Sequence, residues 1–138
     1  MERKTNIFTS YYGGHILHNR DKQLLVSVSN GKPAAFVTDL RWDQVLPDWD
    51  MLVKPYKEGR LDAEGYYALY YRSLTGNRKA VKATLDKILS MARERKKDVV
   101  LLCFERPGAF CHRHVLADWL GNELGLDVKE LGEEKKLF

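Results

Sequence analysis

The chain has 138 residues, of which 44% are hydrophobic and 30% charged, a mixture typical of a globular domain and not of a disordered or membrane-embedded protein. Its 23 Lys and Arg exceed its 19 Asp and Glu, and the resulting net charge of +4 is compatible with phosphate or nucleic-acid partners without selecting either. No stretch approaches the ~20 apolar residues that span a bilayer, and the first residues lack a signal-peptide pattern. We therefore expect one cytoplasmic domain over residues 1–138, no membrane partner, and two reduced cysteines.

The first part of the chain predicts strands separated by turns. Residues 7–12 form a short apolar and aromatic run that Gly13-Gly14 ends, and residues 24–29 form a second run rich in β-branched side chains. Residues 35–39 predict a third, weaker strand. From residue 40 to residue 61 neither a period of two nor one of 3.6 persists, which predicts an irregular segment.

Two helices are predicted next. Asp62 is the expected cap of a tyrosine-rich helix that ends at Gly76, and Asn77 is the expected cap of a second helix. The second helix has a continuous apolar stripe opposite its basic residues. The stripe consists of Val81, Leu85, Ile88, Leu89 and Ala92.

The last third predicts a strand, a helix and a short final strand. Residues 99–104 are continuously apolar, as expected of a strand that is buried on both faces of a parallel sheet. A helix from about His112 to Gly125 turns an apolar face inward, and residues 128–131 predict the last strand. Strands that alternate with helices favour right-handed crossovers, so we expect an α/β three-layer sandwich with a small, mostly parallel, Rossmann-like sheet.

Chemically useful side chains are concentrated between the predicted strand at 99–104 and the helix at His112. The segment from Cys103 to Arg113 contains two thiols, a carboxylate, an imidazole and two guanidinium groups. Ligands of open parallel sheets bind beyond the carboxyl ends of strands. A helix N-terminus also attracts anions and makes a nearby thiol more acidic, so this segment is the predicted site.

The same segment carries a family resemblance. Leu-Leu-Cys-Phe-Glu-Arg-Pro at 101–107, followed by Cys-His-Arg at 111–113, resembles the hallmark of the bacterial and phage "domain of unknown function 488" family. Residues 7–12, 27–33 and 46–49 are similar to further landmarks of that family, so the resemblance covers nearly the whole chain. It implies the fold and the place of the site but no particular reaction. The residues carried over are Cys103, Glu105, Cys111, His112 and Arg113.

We predict three catalytic residues in this segment: Glu105, Cys111 and His112. Cys111, at the helix start, is the expected reactive thiol, and it is expected to ionise more readily than Cys103 because of the helix dipole and Arg113. Each residue also has a structural interpretation. Cys103 suits a core position, His112 suits a hydrogen bond to a loop, and Glu105 suits a salt bridge that orients Arg113.

Four further residues are predicted to bind a substrate or anion: Arg113, Cys103, Tyr11 and His15. Tyr11 belongs to the first predicted strand, and His15, like His18, lies beside Gly13-Gly14 and is expected to face the same cleft. Arg113 offers a bidentate grip on an anion, although a salt bridge with Glu105 or Asp118 is an alternative. Cysteine-phosphatase spacing and closely spaced zinc-binding cysteines are absent, so we predict no metal site. Metal binding by Cys103, Cys111, His112 and His114 is a less favoured alternative, and no cofactor is identified.

The irregular segment mixes aromatic and basic residues, a composition suited to stacking bases and contacting phosphates. Packing of these aromatic residues onto the sheet is the favoured interpretation. The residues are Trp42, Trp49, Lys54, Tyr56, Lys57 and Arg60. Three functional hypotheses follow. The first is an enzyme or ligand-binding domain for a phosphorylated or nucleotide-like compound. The second is a non-catalytic nucleic-acid or protein-binding module, and the third is a thiol redox or metal-binding protein.

Overall fold

A parallel β-sheet forms the centre of the molecule, which we describe from a computed structural model covering residues 4–14, 18–33, 35–105 and 109–132. The sheet has five strands in the order β3-β2-β4-β1-β5. They are β1 (Ile7–Tyr11), β2 (Gln23–Ser27), β3 (Leu40–Arg41), β4 (Asp98–Cys103) and β5 (Val128–Glu130). All four neighbouring pairs are parallel, so the predicted α/β fold with a small parallel sheet is confirmed.

The described residues form four α-helices, of which the last three lie where the sequence predicts them and the first lies in the segment predicted to be irregular. They are α1 (Lys54–Lys57), α2 (Ala63–Gly76), α3 (Arg78–Arg95) and α4 (His112–Leu124). The carboxylate of Asp62 caps α2 by accepting a hydrogen bond from the Gly65 N–H at 2.7 Å. Gly125 ends α4 in the left-handed conformation, with φ of 68°, which glycine adopts without a steric cost. No helix in the described ranges has the length and apolar character needed to cross a membrane.

The sheet buries both of its faces, in agreement with the three-layer arrangement. On one face Val26 and Leu101 belong to a large core with side chains of α2, α3 and α4, including the fully buried Trp119. On the other face Leu25 and Leu102 belong to a smaller core. Within the described ranges this smaller core is completed by Phe8 of β1 and by three residues outside the helices and strands, so connecting segments cover this face of the sheet. The three residues are Tyr12, Phe36 and Leu131.

The strand predicted at residues 35–39 is wrong by a few positions, because the structure places β3 at Leu40–Arg41. The carboxylate of Asp39 accepts hydrogen bonds from the Leu25 N–H and from Arg20, each at 2.8 Å. The Asp39 carboxylate thus accepts the hydrogen bond of the Leu25 N–H in β2, which the carbonyl of a neighbouring strand would otherwise accept. The segment predicted to be irregular includes β3, a 3-10 turn at Asp43–Val45, a π-helical turn at Trp49–Val53 and α1.

Candidate active site

The candidate site lies where the chain leaves β2 and β4, which are adjacent in the sheet. After β2 the chain continues to β3 on one side, whereas after β4 it crosses β1 to reach β5 on the other side. Such a divergence leaves a crevice beyond the carboxyl ends of the two strands, the usual place for a ligand in an open α/β sheet. The topology therefore places Ser29 and Asn30, after β2, opposite Cys103 and Glu105, at the end of β4.

A pocket of about 380 Å³ occupies this crevice, within the ~300–1,000 Å³ typical of small-molecule sites. Aromatic rings form much of its lining. Tyr56, Tyr66 and Phe110 contact one another with ring centroids 5.0–5.6 Å apart, and Phe104 packs on Tyr12 at 5.1 Å. Among the residues that the structure describes, the aromatic residues of the lining are Trp49, Tyr56, Tyr66, Phe104 and Phe110. The pocket therefore offers flat apolar surfaces beside a small number of polar groups.

Two cysteines lie at the pocket wall, and the structure places the sulfur atoms of Cys103 and Cys111 within bonding distance of each other. The two Cα atoms are 7.5 Å apart, beyond the usual range of about 4.4–6.8 Å for a disulfide, so the expectation that both thiols are reduced stays a prediction. The turn after β4 brings α4 back towards the strand, so two residues eight positions apart place their sulfur atoms in contact. Both residues are buried, and Cys111 occupies the cap position at the start of α4, where it was predicted.

His112 contacts both the pocket and the end of β2. Its Nε2 bonds to the Val28 carbonyl, and its Nδ1 lies 3.9 Å from Cys111 Sγ. A carbonyl can only accept a hydrogen bond, so Nε2 carries the hydrogen and Nδ1 presents a lone pair towards the sulfur. Burial lowers the pKa of His112 from 6.5 to about 4, and the neighbouring Arg113 charge contributes in the same direction. His112 is therefore a neutral acceptor beside Cys111 near neutral pH.

Arg113 occupies a different place from the one expected of an anion-binding residue. Its side chain is fully buried, and two of its nitrogens donate to the two carboxylate oxygens of Glu130 at 3.0 and 2.8 Å. Its third nitrogen donates to Cys103 Sγ at 3.2 Å and to the Glu105 carbonyl. All three guanidinium nitrogens of Arg113 thus donate to groups of β5 or of the end of β4. Arg113 is not part of the pocket lining.

A scan of protein-family models finds one that matches residues 9–124, from β1 to the end of α4. The matching model is DUF488-N3a, described as the active DUF488-N3 subclade. The chain belongs to the DUF488-N3a family. No curated protein and no solved structure is found to match the chain.

The DUF488-N3a match contains all seven predicted site residues, and the structure brings several of them together. Cys103, Glu105, Cys111 and His112 all line the pocket. Burial raises the pKa of Tyr66, and the charge of Glu105 contributes in the same direction.

The other two predicted binding residues have different outcomes. Tyr11 is partly buried and does not line the pocket; its ring lies 6.0 Å from the guanidinium of Arg113. His15 lies outside the described residues. His18, a further candidate beside the glycine pair, bonds Ser10 at 3.0 Å and packs near Phe36, a residue of the smaller core.

Sequence reasoning about this DUF488-N3a chain missed two important partners. Glu130 lies after the matched range, and nothing in its short strand distinguishes it from a surface carboxylate, yet it also accepts a hydrogen bond from Thr9 at 2.6 Å. The Val28 carbonyl that fixes the His112 tautomer is a main-chain group with no sequence signal. Tyr66 and Phe110 were detectable only as apolar positions.

Proposed function

We propose that the protein is a thiol-dependent enzyme in which Cys111 is the nucleophile and His112 is its base. The observation that carries the proposal is the His112 tautomer, because its lone pair faces Cys111 Sγ at 3.9 Å. A thiol beside a base and at a helix N-terminus is the usual arrangement of an activated cysteine. The family description as an active subclade agrees with a catalytic role.

The proposed reaction is group transfer through a covalent thio-intermediate. Where Cys103 and Cys111 are joined in a disulfide, two molecules of a low-molecular-mass thiol first reduce it to two thiols and are themselves joined in a disulfide. His112 Nδ1 then accepts the Cys111 proton while Sγ forms a bond to an electrophilic substrate carbon, and the bond from that carbon to its leaving group breaks. The leaving group receives the proton from His112. Water or a second acceptor then cleaves the sulfur–carbon bond and releases the transferred group.

We propose a planar, nucleotide-like substrate for the pocket. The aromatic rings offer stacking surfaces, which bind bases through their π-faces. The Lys57 ammonium at the pocket lies 5.4 Å from the Trp49 ring. Cys111 and His112 at the N-terminus of α4 line the same pocket, and the dipole of a helix favours an anion at that end. These groups are suited to binding a phosphate, the role that was predicted for the buried Arg113.

Alkylation of the reduced protein by iodoacetamide tests the pair. We expect Cys111 to react before Cys103, and we expect His112→Asn to slow the Cys111 reaction at least ~10-fold, since a positioned base typically contributes more than this. His114→Asn is the matched control and should leave the rate unchanged. Peptide mass analysis measures both sites. Equal rates in the wild-type protein and in the His112→Asn variant would refute the assignment of the base.

Ligand binding is tested separately by thermal shift with nucleosides, nucleotides and inorganic phosphate. A nucleotide should raise the melting temperature of wild-type protein, and Phe104→Ala should remove most of that increase. Phe104 is half exposed, so its truncation should leave the fold intact. Stabilisation by phosphate alone that is equal to that by nucleotides would exclude a contribution from base stacking.

A second candidate function, thiol–disulfide exchange, is favoured by the Cys103 and Cys111 sulfur atoms, which lie within bonding distance of each other at the pocket. Cys103→Ser separates the two functions. The nucleophile proposal expects this variant to retain a reactive Cys111 and any group-transfer activity. Disulfide exchange needs both thiols and is expected to be lost in Cys103→Ser and in Cys111→Ser alike.

A further inference from the structure

We propose that the reduced protein binds one thiophilic divalent cation, of the Zn²⁺ class, through Cys103 Sγ, Cys111 Sγ and His112 Nδ1. The three ligand atoms lie within 4.8 Å of one another. Ligand atoms of a tetrahedral zinc site are about 3.5–3.8 Å apart, given Zn–S and Zn–N bonds of about 2.3 and 2.0–2.1 Å. The 3.9 Å between Cys111 Sγ and His112 Nδ1 already approaches that spacing.

Metal binding requires both cysteines as thiols. A phosphine reduces any disulfide between them together with one water molecule, whose oxygen ends in the phosphine oxide and whose hydrogens end on the two thiols. The Cα atoms of Cys103 and Cys111 are 7.5 Å apart. At this separation, rotation of the two side chains gives the sulfurs room to move apart around a common ion. The oxidised protein lacks two of the three ligands, so metal binding should depend on the redox state of the pair.

The groups around the three ligands support this assignment. His112 donates its second ring N–H to the Val28 carbonyl, the contact that usually orients a metal-binding histidine. Arg113 donates to Cys103 Sγ at 3.2 Å and so favours the thiolate, while Glu130 balances the Arg113 charge. Two sulfurs and an imidazole select Zn²⁺ or a similar ion over Mg²⁺ and Ca²⁺, which prefer oxygen ligands.

The pocket would supply the fourth coordination position. All three ligand residues line it, and a zinc ion with three protein ligands keeps a position for water or another small ligand. This site shares Cys111 and His112 with the proposed nucleophile and base, and the two uses exclude each other because a metal-bound Cys111 sulfur is not free to attack a substrate. Metal binding is therefore expected to inhibit the proposed enzyme.

The proposal is tested by titrating reduced, reductant-free protein with Co²⁺ under anaerobic conditions. We expect thiolate-to-cobalt charge transfer and visible tetrahedral bands that saturate at one ion per chain, and Zn²⁺ should displace them. Cys103→Ser, Cys111→Ser and His112→Asn should each weaken binding at least ~100-fold, the upper end of the loss caused by changing a neighbour of a ligand. The control His114→Asn should bind as the wild type does, and the oxidised protein should not bind.

A second measurement uses only the wild-type chain, so it does not depend on the folding of variants. Zn²⁺ should protect both cysteines of the reduced protein from iodoacetamide, and a chelator should restore their reactivity. Absence of charge transfer together with absence of protection would overturn the metal site. Loss of Co²⁺ binding in His114→Asn equal to that in His112→Asn would also overturn it. The proposed nucleophile is judged instead by alkylation in metal-free protein, so the two proposals fail separately.

Discussion

The buried pair between Arg113 and Glu130 should be a major contributor to stability, and Glu130→Gln tests this. Both charges are removed from water, and two hydrogen bonds of 3.0 and 2.8 Å join them. Removing one charge of a buried pair leaves the other without compensation and costs about 3–5 kcal/mol. Because glutamine retains one acceptor oxygen, we expect the lower end, about 3 kcal/mol, which corresponds to a fall in melting temperature of roughly 10 °C.

Urea denaturation of wild type and variant at the same pH gives the free energy of unfolding. Asp86→Asn is the matched control, because Asp86 forms an exposed pair with Lys82 at 3.2 Å and pairs of that kind contribute about 0–1 kcal/mol. The double variant Arg113→Met with Glu130→Met should lose less stability than the sum of the two single changes, since it leaves no unpaired charge. A Glu130→Gln loss no greater than that of Asp86→Asn would refute the reasoning.

Three further outcomes follow from particular contacts. Tyr70→Phe should lower the free energy of unfolding by about 1–3 kcal/mol, because the buried Tyr70 hydroxyl donates to the Val45 carbonyl and its loss leaves that acceptor unsatisfied. A free energy from thermal unfolding within about 0.5 kcal/mol of the wild-type value would contradict this. Lys96 follows α3 in the left-handed conformation, with φ of 57°, so Lys96→Gly should raise the free energy of unfolding by about 0.5–1 kcal/mol. A lower free energy of unfolding in the variant would contradict this, because the Lys96 side-chain contacts would then contribute more than the relief of backbone strain. If the loop around Trp49 and Lys57 binds nucleic acid, affinity should fall steeply between about 50 and 200 mM salt and Lys57→Gln should reduce that slope by about one; absence of binding at low salt removes this function.

Local sequence patterns were sufficient to predict most elements and the position of the site. The apolar run ending at Cys103, the cap at Cys111 and the stop at Gly125 each depend on neighbouring residues, and the structure has β4 and α4 there. The α3 stripe likewise depends on a period of 3.6 residues, which needs no knowledge of the partner surface. Residues 35–39 were mistaken for a strand because propensity alone does not reveal the bonds that Asp39 makes.

Tertiary structure alone decided which polar groups are partners. Arg113 pairs with Glu130, seventeen positions away, and His112 bonds the carbonyl of Val28, eighty-four positions away. Periodicity encodes whether a side chain is buried, but it does not encode which group from another strand lies opposite, since that depends on strand order and register. A buried charge is tolerated only with such a partner. The sequence therefore determined where the reactive groups are concentrated, and the packing of β5 and β2 against α4 determined the roles available to Arg113 and His112.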